Sequence, residues 1–211
     1  MKTEIIFILD RSGSMSGMER DTIGGYNSLL KKQKLEKGEA IISTILFDHE
    51  SVVLHDRLDI KKVPLLTSED YYVRGSTALL DTIGKAIDHI GTIHKYARKE
   101  DRPDKTLFVI TTDGHENASR MYSYAQIEKM IKRQESKYGW QFLFLGANID
   151  SAKEGARLGL KREHTANYVQ DSEGTVCFYD ALDETIACFR KKGTIKANWS
   201  EKINEDYKKR G

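Results

Sequence analysis

Four short apolar runs, separated by stretches with helical periodicity, constrain the fold of this chain more than any other feature. They are Ile5–Leu9, Ile41–Phe47, Leu107–Ile110 and Phe142–Leu145. Three of them do not alternate with polar residues, which is typical of strands that are covered on both faces. In the run Ile41–Phe47, Ser43 and Thr44 interrupt a segment that is otherwise rich in β-formers. The pattern therefore predicts an α/β protein whose sheet is mostly parallel.

Helical patterns follow most of these runs and give the order of the elements. We expect helices at about Gly17–Leu35, Ala78–Lys99, around Ile127–Ile131, at Ser151–Leu158 and at about Gly174–Arg190, with a last strand at Ala166–Val169. The polar turn Asp48-His49-Glu50 followed by Ser51–His55 predicts a hairpin. These features indicate a doubly wound open sheet with one antiparallel edge strand and helices on both faces.

The sequence contains no internal repeat, low-complexity tract or linker. We therefore expect one domain over residues 1–211, with a core at about 2–190 and a C-terminal helical extension at about 191–211. The longest irregular stretch, Asp59–Gly75, is of a length at which loops are often functional.

The charge and apolar content give no support to several classes of function. The 34 basic and 32 acidic residues give a net charge of +2, which offers no reason to expect nucleic-acid or membrane-surface binding. No segment approaches the ~20 apolar residues of a membrane span, and the run Ile5–Leu9 is too short for a signal peptide. Cys177 and Cys188, eleven residues apart on a predicted helix, lie too far apart for a disulfide. We expect a cytoplasmic protein with reduced thiols.

The peptide Asp10-Arg11-Ser12-Gly13-Ser14 follows a buried strand and precedes a helix. In open α/β sheets, ligands bind outside the carboxyl ends of the strands where the chain order reverses. Gly13 permits a sharp bend, and one carboxylate with two hydroxyls makes a site of oxygen atoms alone. Such ligands suit Mg²⁺ and Mn²⁺ better than Zn²⁺, which prefers His and Cys.

Two further segments are expected at the same edge of the sheet. Arg74-Gly75-Ser76-Thr77 places Thr77 just before the second helix, although Ser76 is an alternative to it. Thr111-Thr112-Asp113-Gly114 ends a strand as Asp10 does, with the two threonines favoured as strand residues. If these two strands are neighbours, Asp10 and Asp113 face one crevice.

Together these segments resemble the metal-ion-dependent adhesion site (MIDAS) of von Willebrand factor type A (vWA) domains, a Rossmann-like fold. The similarity covers Lys2 to about Arg190, including the order of the elements. It implies a Mg²⁺ site, with Mn²⁺ or Ca²⁺ as alternatives. Ser12, Ser14 and Thr77 would bind the metal directly, and Asp10 and Asp113 would act through water or as alternating ligands. The resemblance also implies a protein partner that offers Asp or Glu to the metal.

Other interpretations of these residues stay open. Asp10 and Ser12 would merely cap the next helix in the simplest alternative. Asp81 is expected either to orient Thr77 or to be an exposed helix residue. His49 and His115 are expected to be solvated, and four residues are candidates for the partner surface: Arg11, Tyr72, Arg74 and Asn117.

These residues are compatible with three hypotheses about function. The first is a metal-dependent binding module without catalysis, since no catalytic base is visible beside the site. The second is a Mg²⁺-dependent phosphohydrolase with an acid after the first strand, but Arg11 and Ser12 stand where a second acid is needed. The third, nucleotide binding, lacks the glycine motifs of phosphate-binding loops.

Overall fold

The computed structural model describes residues 1–211 as six strands and six helices. The strands are β1 (Lys2–Asp10), β2 (Glu39–Phe47), β3 (Ser51–Asp59), β4 (Lys105–Thr112), β5 (Gln141–Gly146) and β6 (Thr165–Asn167). The helices are α1 (Glu19–Leu35), α2 (Leu79–Tyr96), α3 (Tyr124–Tyr138), α4 (Ser151–Arg157), α5 (Ser172–Lys192) and α6 (Glu201–Arg210).

The strands form one sheet in the order β3-β2-β1-β4-β5-β6. Only β3 is antiparallel to its neighbour, which confirms the predicted doubly wound sheet with one antiparallel edge strand. The chain order reverses between β1 and β4, where Leu9 pairs with Thr111. The crevice at the carboxyl ends of these two strands is therefore the place where a ligand is expected.

Alternate residues of β1 enter two separate apolar layers, because successive side chains of a strand point to opposite faces. Ile5, Phe7 and Leu9 pack in a layer with buried residues of α1, α5 and α6. Ile6 and Ile8 pack in the other layer with residues of α2 and α3. Both faces of the central strand are thus buried, as its lack of polar alternation predicts.

The edge strand β3 differs from the prediction because it continues to Asp59 instead of ending near His55. Its pairing with β2 shifts register near Thr44, and Arg57 adopts a positive φ of 51°. Val52 and Val53 point to opposite faces of the strand and are both exposed, and His55 is its only buried residue, so β3 is poorly covered on both faces. A largely exposed edge strand has a weaker sequence signal than the fully buried β1.

The C-terminal segment packs on the sheet through α6. Trp199 and Ile203 are buried in the same apolar layer as α1 and α5. The indole of Trp199 donates to the backbone oxygen of Glu163 at 2.7 Å. Cys177 and Cys188 are free thiols on α5. None of the helices has the combination of length and apolar character that crossing a membrane requires.

Candidate metal-binding site

Asp10 ends β1 with its carboxylate buried at the crevice beside β4. Its Oδ1 accepts the backbone N–H of Ser12 at 2.7 Å, and its Oδ2 accepts the Thr112 hydroxyl at 2.6 Å. The side chain of Tyr71 donates to the backbone oxygen of Asp10. Thr112 is a strand residue, as expected, but it also fixes the carboxylate of Asp10.

The two serines of the first loop face Asp113 across the crevice. The hydroxyl oxygens of Ser12 and Ser14 are 3.1 Å apart. The hydroxyl of Ser14 donates to Oδ1 of Asp113 at 2.5 Å. Residues 99 positions apart in sequence are thereby joined in one cluster with Asp10. Neither Asp10 nor Ser12 caps a helix, because the turn that follows Ser12 has no side-chain cap and α1 begins after Met18.

Thr77 joins the cluster from the loop before α2. A Cβ atom placed on Gly114 would lie 3.2 Å from Oγ of Ser14 and 3.5 Å from Oγ1 of Thr77. The two hydroxyls therefore converge on the space beside Gly114, which a side chain at that position would fill. The backbone N–H of Thr77 donates to Oδ1 of Asn117 at 2.8 Å, which holds Thr77 at this place.

The two carboxylates of the cluster are buried without a cationic partner. Burial raises the pKa of Asp10 to about 6, against the hydrogen bonds from Thr112 and Ser12. Burial also raises the pKa of Asp113, against those from Ser14 and Gln170. Burying an unpaired carboxylate is costly. The cluster is thus an anionic site lined by neutral donors.

This donor set fits a hard divalent cation. Asp10, Ser12, Ser14, Thr77 and Asp113 supply only oxygen atoms, the ligands that Mg²⁺, Mn²⁺ and Ca²⁺ prefer. No group of three or more His, Cys, Asp or Glu side chains anywhere in the chain is arranged to hold a metal. A cation bound in the crevice would therefore depend on hydroxyl oxygens as well as the two carboxylates.

Gln170, between β6 and α5, is part of this site, although the sequence did not single it out. Its Nε2 donates to Oδ2 of Asp113 at 2.6 Å and to the backbone oxygen of Ser14 at 3.1 Å. Its Oε1 accepts from Asn148, a residue with a positive φ of 54°. No motif marks either residue, because their contribution depends on β5 ending beside β4 and β6 ending beside β5.

Two acidic residues, Asp81 and Glu116, hold the loop between β4 and α3. Asp81 neither orients Thr77 nor is exposed, so both predictions for it are wrong. Asp81 makes no hydrogen bond to Thr77 and is buried. Its carboxylate accepts the backbone N–H groups of Arg120, Met121 and Tyr122 at 2.8–3.0 Å. Glu116 accepts the N–H of Leu80 at the start of α2 and the hydroxyl of Ser119. Asp81 therefore positions the loop that follows Asp113 rather than Thr77.

The candidates for a partner surface divide into exposed and buried residues. Arg11 is only 3% exposed, and the ring of Tyr72 covers it at 5.0 Å from its guanidinium carbon. The prediction that Arg11 belongs to an exposed partner surface is therefore wrong. Tyr72 and Asn117 are exposed, and Arg74 is partly so. His49 and His115 are exposed, as expected for solvated loop residues.

Comparison with known proteins identifies the fold. No protein-family model matches the chain, and no curated protein matches it. Among solved structures, the chain is similar to proximal thread matrix protein 1 from the mussel byssus, with a TM-score of 0.58 and 15% identity over 89% of this chain and 46% of that one. A second structure of the mussel protein has a zinc-occupied MIDAS motif, at 13% identity.

Two further similar structures are von Willebrand factor type A proteins. A von Willebrand factor type A protein from Catenulispora acidiphila matches with a TM-score of 0.58 and 13% identity over 87% of this chain and 42% of that one. The SpRpn10 VWA domain matches with a TM-score of 0.56 and 10% identity over 86% of this chain and 95% of that one. The chain spans less than half the length of the mussel and Catenulispora chains. At these identities the similarity concerns the fold, and the protein therefore has the fold of a von Willebrand factor type A domain.

Proposed function

We propose that this protein is a binding module whose crevice holds a divalent cation, with Mg²⁺ the expected ion, for recognition of an acidic residue on a protein partner. The single observation that carries the proposal is the pair of buried carboxylates, Asp10 and Asp113, which are surrounded by hydroxyl and N–H donors and form no ion pair with a basic side chain. The zinc-occupied MIDAS of the structurally similar mussel protein supports a divalent cation at this edge of the fold.

The five residues of the site would contribute to cation binding in two ways. Ser12, Ser14 and Thr77 present neutral oxygens, and Asp10 and Asp113 provide the negative charge. When bound, the cation would supply an open coordination position for a partner's Asp or Glu. Because three of the five groups are neutral, they leave part of the cation's charge uncompensated, which favours an external carboxylate. Tyr72 and Asn117 are exposed near the crevice, Arg74 is partly exposed, and all three are proposed to contact the partner.

Binding without catalysis is favoured by the state of Asp10. Both of its carboxylate oxygens accept hydrogen bonds, and the residue is 1% exposed. A nucleophilic Asp must be reached directly by its substrate, which this degree of burial prevents, whereas a buried carboxylate can still act on a cation through a remaining lone pair or a bridging water. Turnover of p-nitrophenyl phosphate that requires Mg²⁺ and is lost in Asp10→Asn would overturn this part of the proposal.

The first experiment is calorimetric titration of Mg²⁺ and Mn²⁺ into the purified protein. We expect saturable binding to one site, which disappears in the double variant Asp10→Ala with Ser12→Ala. Ser14→Ala should weaken binding strongly. Ser16→Ala is the matched control, because Ser16 is exposed two residues away and its hydroxyl makes no hydrogen bond within the chain. No saturable binding by a folded wild-type protein contradicts the proposal.

The partner is tested separately from the metal. Proteins captured in Mg²⁺ but not in EDTA by the wild type, and not by Ser14→Ala, are candidates. The proposal requires that capture is lost when a single Asp or Glu of such a protein is replaced. Capture that is independent of every partner acid would refute recognition through a carboxylate.

A further inference from the structure

We propose that Asp48, which contributes no atom to the oxygen cluster, is a positioning residue that holds together the two loops carrying Ser12, Ser14 and Thr77. This inference rests on the proposed function, because it assigns the role of Asp48 in metal binding. Asp48 lies in the turn between β2 and β3 and is completely buried.

The carboxylate of Asp48 joins one arginine from each loop. Its Oδ2 accepts Nε of Arg11 at 2.9 Å, and Arg11 stands between Asp10 and Ser12. The same oxygen accepts Nε of Arg74 at 2.8 Å, and Arg74 is three residues before Thr77. Its Oδ1 accepts the N–H of Glu50 at 2.9 Å, which fixes the carboxylate within its own turn. One buried charge therefore links three segments.

Backbone hydrogen bonds join the same segments. The N–H of Arg74 donates to the oxygen of Arg11 at 2.9 Å, and the N–H of Gly13 donates to the oxygen of Gly75 at 3.0 Å. The backbone oxygen of Asp48 accepts the N–H of Ala78, the residue after Thr77, at 2.8 Å. Each loop is thus tied to the other and to Asp48 at positions next to a proposed metal ligand.

The environment of these arginines points to positioning rather than to stability alone. The Nη2 atom of Arg11 is buried without a hydrogen-bond partner. An unsatisfied buried donor lowers stability, yet the arrangement places Arg11 between two proposed ligands. The ring of Tyr72 lies 5.0 Å from the guanidinium carbon of Arg11 and 5.8 Å from that of Arg74; it covers Arg11, which is 3% exposed, while Arg74 stays partly exposed.

The test compares Asp48→Asn with Glu4→Gln. Glu4 is a matched control because its buried carboxylate also binds two basic side chains, Arg57 and His94, but belongs to the first half of β1. Metal affinity is measured by titration with Mn²⁺, and backbone amide hydrogen exchange at Gly13 and Arg74 is measured in EDTA. Groups that orient metal ligands typically change affinity about 10- to 100-fold when they are replaced.

We expect Asp48→Asn to weaken Mn²⁺ binding by about 10-fold or more and to speed exchange at Gly13 and Arg74. Glu4→Gln should leave the Mn²⁺ affinity of the folded protein close to wild type. A folded Asp48→Asn protein with wild-type affinity overturns the inference, as does an equal loss of affinity in Glu4→Gln. Because exchange is followed without metal, a wild type that binds no Mn²⁺ refutes the proposed function, while unchanged exchange in Asp48→Asn refutes the loop linkage by itself.

A second pair of variants covers the case in which Asp48→Asn does not fold. Arg74→Met removes one link while leaving Asp48 paired with Arg11, and Arg57→Met removes the equivalent link to Glu4. Both arginines are partly exposed, so both variants should fold. Arg74→Met is expected to weaken Mn²⁺ binding and Arg57→Met to leave it unchanged; equal affinities in the two variants would contradict the inference.

Discussion

Buried carboxylates lie at both ends of the central strand β1, and their partners are of opposite kinds. Near the beginning of the strand, Glu4 binds Nε of Arg57 at 2.6 Å and Nε2 of His94 at 2.5 Å. At the carboxyl end, Asp10 is held only by the N–H of Ser12 and the hydroxyl of Thr112. The fold neutralises one buried acid with its own basic side chains and leaves the other without a cationic partner.

This difference separates a contribution to folding from a contribution to binding. A buried charge that is paired and hydrogen-bonded is tolerated, and breaking the pair is costly. A buried charge with neutral neighbours weakens the folded state until a cation binds. The comparison therefore predicts opposite effects when each acid is converted to its amide.

The largest expected effect on stability comes from replacing Glu4. Glu4→Gln should lower the free energy of unfolding by about 3 kcal/mol, because glutamine is uncharged and has only one acceptor oxygen for the two donors Arg57 and His94. Urea denaturation in EDTA measures this. If Glu4→Gln is as stable as the wild type, the basic partners of Glu4 do not stabilise the folded protein, and the proposed difference between the two ends of β1 is wrong.

A smaller effect of opposite sign is expected at Asp10. Its pKa is raised from 3.8 to about 6 in the folded protein, so the cost of ionising it is absent below about pH 4 and complete above about pH 6. This shift corresponds to about 3 kcal/mol, from which the amide loses about 1 kcal/mol because it forms a weaker hydrogen bond than the carboxylate. Asp10→Asn should therefore raise the stability of the EDTA-treated protein at pH 8 by about 2 kcal/mol and abolish metal binding. Denaturation curves at pH 4 and pH 8 give the test, and a loss of stability at pH 8 would break the comparison.

The smallest expected effect concerns the support of Asp113. Gln170→Leu should weaken metal binding about tenfold, or about 1.4 kcal/mol, because Oδ2 of Asp113 loses the donor that orients it. Gln33→Leu is the matched control, since Gln33 also donates its amide to an aspartate, Oδ1 of Asp183 at 2.8 Å, but far from the crevice in the contact of α1 with α5. Equal metal affinity in the two variants would remove Gln170 from the site.

The sequence predicted those parts of the molecule that depend on local pattern. Continuous apolar runs such as Ile5–Leu9 identify buried parallel strands, and the predicted sheet is confirmed. The peptide from Asp10 to Ser14 places three oxygen-bearing side chains in one turn, and the structure brings them beside Asp113. That these residues bind a metal stays a prediction.

The parts that the sequence did not predict depend on distant contacts. Arginine is a residue type that usually lies at the surface, but the carboxylate of Asp48, 37 residues away, holds Arg11 in the interior. Asp81 follows Thr77 by one helical turn, yet its carboxylate binds the loop some 40 residues further along the chain. Gln170 lies 57 residues from Asp113. In each case the partner is known only once the sheet order is known.

The anchoring of the loop after β4 has a consequence for protein engineering. Asp81 and Glu116 fasten this loop to the start of α2 through backbone groups and a serine hydroxyl, whereas His115, Arg120 and Met121 have exposed side chains. Backbone N–H groups are the donors to Asp81, and every residue except proline supplies one. These three positions are therefore open to randomisation, with proline excluded, without moving Asp113 or Thr77. This segment is therefore suited to a display library in which exposed side chains beside the crevice are varied to change binding specificity, while the crevice itself stays fixed.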